Sequence, residues 1–123
     1  MSNIMSEYTD RLFATKKRYP FARWIANTIE DYNELSCKPY IAAFDTLIDH
    51  LAALGEQAST EAKLEAFQET VETLNDLNDN DGLIETGERE DLCEICNTIA
   101  IAAGIDPTKY GGGEGPASEW RDW

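Results

Sequence analysis

TEAKLEAFQETVETLNDL, residues 60–77, decides the fold class. Leu64, Phe67, Val71, Leu74 and Leu77 recur at steps of three, four, three and three, which gathers them on one face of an α-helix. Glu61, Glu65, Glu69 and Glu72 then face outward. A half-buried strand would alternate with period two, and no such run of useful length occurs in the chain. Ser59 or Thr60 supplies a hydroxyl that can cap the helix.

The same period extends in both directions. Upstream, Gly55 closes a helix that opens at Pro39, where a missing N–H costs nothing, and carries Tyr40, Phe44, Leu47, Leu51 and Leu54 inward. Before it, Pro20 opens a stripe of Phe21, Trp24, Ile25, Thr28, Ile29, Tyr32 and Leu35, with a break expected at residues 36–38. A first short helix over residues 6–17 turns Tyr8, Leu12 and Phe13 inward and stops at Tyr19, since the residue before proline resists the α region. Downstream, a polar loop over residues 78–82 leads to a fifth helix with Leu92, Ile95, Cys96, Ile99 and Ala103 on one side, ended by Gly104 and Pro107. The expected fold is all-α: a compact bundle of four to five short helices over residues 1–110, followed by a Gly-rich C-terminal tail over 111–123.

That tail ends on Trp120 and Trp123. Two readings are open: the rings fold back to close a gap in the bundle, or they serve as partner anchors swung on the glycines.

The 123 residues carry 24 acidic against 10 basic side chains, a net charge of -14. Twelve of the acids lie between Glu61 and Glu94, opposed there by Lys63 and Arg89 alone. Such a chain lacks the basic footprint that DNA, RNA or an anionic membrane requires, so neither nucleic acid nor membrane is expected as a direct partner. Concentrated like charge repels itself, and a cationic protein would relieve that repulsion. The basic residues Lys16, Lys17, Arg18 and Arg23, interleaved with Tyr19, Phe21 and Trp24, are read as offsetting the acidic helices within the monomer or across a contact with a second copy. The first residues lack the basic and apolar regions of a secretory signal, and the three cysteines are an odd and sparse set. A cytoplasmic protein is expected.

Three patterns invite metal or redox chemistry. Residues 77–88, LNDNDGLIETGE, set Asp79, Asp81, Gly82 and Glu88 at positions 3, 5, 6 and 12 of an EF-hand-like calcium loop, with Leu77 in place of the carboxylate at position 1. The alternative is an Asn/Asp/Gly turn whose side chains bond their own backbone. Cys93 and Cys96 have CxxC spacing but fall inside a helix, so apolar packing is favoured over a thiolate or a zinc site completed by Cys37 and His50. Asp45 and Asp49 beside His50 form an ordinary i, i+4 pair on a polar helix face. With one histidine and no recognisable nucleophile, no enzyme and no cofactor are expected.

The sequence therefore predicts a small acidic binding protein. Its expected partner is basic, itself a nucleic-acid-binding or nuclease protein, and the contact residues are Glu65, Glu69, Glu72, Asp76, Asp79, Asp81, Trp120 and Trp123. A calcium-responsive module using Asp79, Asp81 and Glu88 is the alternative. The apolar stripes are wide enough to serve a homodimer seam as well as a core.

Overall fold

In the computed structural model the chain is described over residues 4–27 and 32–123, with side chains from Glu7 onward. Two long helices form its frame: α3, Glu34–Leu54, and α4, Thr60–Asp81. They run antiparallel, because Tyr40 Oη donates to Asp81 at 2.8 Å, His50 lies 3.6 Å from Glu69, and Lys63 reaches back to the Glu56 carbonyl. Both ends of α4 are set by local chemistry. The Ser59 hydroxyl accepts from the Ala62 N–H at 3.1 Å, and Gly82 takes the left-handed conformation at φ 65° that closes the other end.

The expected break at residues 36–38 is absent. Asn33 and Ser36 form a reciprocal capping box, each side chain accepting from the other's backbone N–H at 2.9 Å, and this starts α3 well before Pro39. Pro39 then sits in the second turn, where its missing N–H frees only the Leu35 carbonyl. Leu35, expected inward, is 80% exposed, so water can take that carbonyl. Thr28 and Ile29 of the same expected stripe lie outside the described residues, while Tyr32 is buried.

α1, Ile4–Ala14, buries Tyr8 and Leu12 and tightens into a 3-10 turn over Thr15–Arg18 instead of continuing as α-helix. Phe13 stays at the surface with the Lys16 ammonium 4.9 Å from its ring centre. α2, Phe21–Asn27, sends Phe21 and Trp24 into an aromatic cluster with Tyr19, Tyr32 and Phe44, at centroid spacings of 5.1 to 6.1 Å. α5, Thr86–Ala102, contributes Leu92, Ile95, Cys96 and Ile99 to the core. It ends in a Schellman motif, with Gly104 N–H on the Ile101 carbonyl at 3.0 Å and Ile105 N–H on the Ala100 carbonyl at 2.8 Å. The expected all-α bundle stands, with no strand among the described residues, although α3 and α4, at 21 and 22 residues, are long.

Residues 111–123 are part of the bundle and not a free tail. They form a glycine turn at positive φ over Gly111–Gly113 and a one-turn helix α6, Ala117–Trp120, which packs on α4 and α5, with Gly115, Pro116 and Ala117 buried. Two asparagines clamp them. Asn75 of α4 donates to the Trp120 carbonyl at 3.0 Å and accepts from the Asp122 N–H at 3.1 Å, and Asn97 of α5 donates to the Glu114 carbonyl at 3.0 Å. Trp120 and Trp123 rest half-buried on the core, so the folded-back reading replaces the swinging anchor. No described helix is long and apolar enough to cross a membrane.

Candidate functional site

The acidic surface is built by α4. Its inner face must bury Ala66, Phe67, Val71 and Leu74, and the helical period then forces Glu61, Glu65, Glu69, Glu72, Asp76 and Asp79 into solvent, where all six are exposed. Lys63, the only basic residue of α4, does not join them. It turns inward beneath α1, donating from Nζ to the Glu56 carbonyl at 2.9 Å and to the Ala103 carbonyl at 2.8 Å, with the Tyr8 ring 5.2 Å away. Burial pushes its amine below the usual lysine range. The helix that carries the acidic stripe thus spends its own cation in the core.

The other paired cations are engaged elsewhere. Arg23 meets Asp91 at 2.8 Å, Lys16 meets Asp45 at 3.5 Å, Arg11 meets Glu56 at 3.1 Å, and Arg121 lies 3.9 Å from Glu114. These contacts are partly exposed and individually weak. They show that part of the basic cluster offsets acids within the monomer, and its aromatic neighbours Phe21 and Trp24 are buried, hence closed to stacking with bases. Among the described residues, Glu69 is the member of the α4 stripe in an ion pair, and only when His50 is protonated. Glu72 accepts a hydrogen bond from Gln68 at 3.2 Å.

Asp81 belongs to a different environment. Its carboxylate accepts from the buried Tyr40 hydroxyl at 2.8 Å and from the Leu83 N–H at 3.0 Å, so it holds the α3–α4 pair together at the Gly82 end. The calcium loop expected over residues 77–88 is not formed. Residues 77–81 are the last turn of α4, because Gly82 caps the helix while Asn78 Oδ1 accepts from the Ile84 N–H at 2.8 Å. Glu88 stands in the first turn of α5, where a carboxylate suits the helix dipole. Among the described residues no group of three or more His, Cys, Asp or Glu side chains comes together to hold a metal ion, so Asp79, Asp81 and Glu88 do not form the expected set.

The three cysteines are free thiols. Cys37 and Cys96 are buried and Cys93 half-buried, and burial raises all three thiols above their ordinary range. None is poised as a thiolate nucleophile.

One feature of the surface escaped the sequence reading. Beside the acidic stripe, α3 and α4 are separated by an open trough of about 410 Å³, running from Pro39 and Leu77 at one end to His50 and Ala66 at the other. Its walls are small: Ala42, Ala43 and Thr46 on α3, Thr70 and Thr73 on α4. Thr70 and Thr73 return their hydroxyls to their own helix, to the Ala66 and Glu69 carbonyls; Thr70 is buried toward the floor, and Thr73 is exposed along the wall. The signal in the sequence was a run of small residues on one edge of each stripe.

Comparison with protein-family models, with curated proteins and with solved structures finds no match to this chain.

Proposed function

We propose that this chain is a non-enzymatic binding protein whose α4 surface recognises a basic protein, acting as an inhibitor or immunity-type partner. The observation that supports this reading is the six-carboxylate stripe of α4, exposed from Glu61 to Asp79 while Lys63 is drawn into the core. Holding like charges one turn apart on a helix destabilises it, and scattering them would avoid the penalty. A cationic surface removes that penalty on binding and is drawn in by the field at long range. The partner class that fits best is a protein that binds nucleic acid or cleaves it. Its basic groove is built for a regular line of phosphates, and carboxylates repeated along a helix can occupy the same positions. That class rests on the general logic of acidic inhibitors and on no motif of this chain.

Affinity capture from a lysate, with washes at low and high ionic strength and identification by mass spectrometry, tests the reading. A basic partner held in stoichiometric amount at low salt and released at high salt is the expected result. Capture that is indifferent to salt, or a partner of acidic character, contradicts it.

A further inference from the structure

We propose that the trough between α3 and α4 docks a cationic amphipathic helix of the partner. The proposal rests on the acidic-surface reading above and adds which element of the partner is recognised and where. Three observations carry it. The trough follows the helix axes for the twelve residues from Pro39 to His50 and the twelve from Ala66 to Leu77, a rise of about 16 Å or three helical turns. Its floor is apolar and its walls are small, so a third helix can approach to the interaxial distance of about 8–10 Å that packed helices adopt. Larger side chains at Ala42, Thr46 and Thr73 would fill that space, whereas the residues present leave it open at the surface.

Charge selects among helices. Glu69 lines the trough, and the helical period sets Glu65, Glu72 and Asp76 on the adjoining strip of α4, with exposed Asp49 on the α3 side. A helix seated here lays apolar side chains at i, i+3 or i+4, and i+7 into the trough and brings Lys or Arg on its flanks against these carboxylates. A neutral apolar helix would leave the carboxylates without partners, and a basic extended chain would leave the apolar floor wet. The matching occupant is basic on its flanks and apolar along one face.

Two synthetic peptides of equal composition test this against the full chain by fluorescence anisotropy: one a Leu/Ala/Lys sequence with a single apolar helical face, the other scrambled so that no face exists. The amphipathic peptide is expected to bind at least roughly tenfold more tightly. Thr46→Trp, which fills the trough from an exposed position, is expected to abolish that advantage while leaving the weaker, salt-sensitive binding of the scrambled peptide unchanged. Thr73→Trp serves if the first variant does not fold. Equal binding of the two peptides, or an advantage that survives both tryptophan variants, overturns the docking site and leaves the acidic-surface reading standing. Amphipathic binding that persists when Glu65, Glu69, Glu72 and Asp76 are all changed to Lys overturns the acidic reading and, with it, the cationic occupant. A wild-type dimer in sedimentation that Thr46→Trp converts to monomer assigns the trough to a second copy, and failure of both peptides to bind leaves the site without its ligand; either result overturns the proposal.

Discussion

Lys63 and Glu65 are two positions apart on α4 and do opposite things. The lysine is structural: its amine satisfies two carbonyls, those of Glu56 and Ala103, where three segments of the chain converge. Lys63→Met should leave those carbonyls short of a donor and cost about 1–3 kcal/mol in urea unfolding. Glu65→Gln, on the exposed stripe, should fall within about 0.5 kcal/mol of wild type, as expected of a side chain reserved for a partner. Tyr19 and Tyr40 give a pH signature. Burial first, then hydrogen bonds to Asp45 and Asp81, hold both phenols well above their ordinary range. The unfolded chain loses these protons near pH ~10 while the folded chain keeps them, so the folded state binds more protons above that pH and stability falls as pH rises. Denaturant titrations at neutral and alkaline pH should show that fall, reduced in Tyr40→Phe, which also forfeits about 1 kcal/mol at neutral pH with the Asp81 bond. An alkaline slope identical in the variant would contradict this assignment. Most of the buried stripes were legible in the sequence, since Phe44, Leu47, Phe67, Val71 and Ile99 lie where the period puts them, whereas Phe13 and Leu35, expected inward, are exposed. Lys63 was not, because a cation amid glutamates reads as an ordinary helix-surface partner until the Ala103 carbonyl is known to lie above it.

At the scale of elements, the chain's punctuation was read with mixed success for one reason: several signals compete and the strongest sets the boundary. Gly55 and Gly104 end their helices as expected, both at positive φ. The Asn/Asp run over residues 78–81 reads as a loop by composition, yet Gly82 is the better terminator and the side chains of Asn78 and Asp81 cap the backbone beyond it. Likewise Pro39 is outweighed by the Asn33–Ser36 box. Asn33→Ala should therefore cost about 1 kcal/mol, as should Gly82→Ala, which places a side chain in the left-handed region. Thermal melts of the two variants check both. The C-terminal segment holds by tighter geometry. Gly115 has positive φ, and a Cβ there would collide with the Asn97 side-chain amide. Gly115→Ala should lift residues 111–123 away from α4 and α5 and shift the fluorescence of Trp120 and Trp123 toward that of solvated indole, whereas an unchanged spectrum would mean that the segment holds without this contact. Its docking was unreadable from sequence because four glycines in five residues look the same whether they confer freedom or permit close approach.

The whole molecule carries -14 with six carboxylates exposed along α4, and this stripe was visible in the sequence because α4 repeats glutamate at the helical period. The trough beside it was not, since the small residues of α3 and α4 meet only when the two helices pair in the observed register. Self-repulsion makes the fold sensitive to ionic strength: the melting temperature should rise as salt screens the carboxylates, and changing Glu65, Glu69, Glu72 and Asp76 to Lys should leave the protein folded and no less stable at low salt. That variant also supplies the most direct test of the central claim, that the α4 stripe is the recognition surface for a basic protein. Wild type and the four-fold variant, tagged alike and used at equal amounts in low salt, would be compared for what each captures from one lysate. The account predicts a basic partner at stoichiometric level on the wild type and its loss from the variant. The same partner retained equally by both would contradict it.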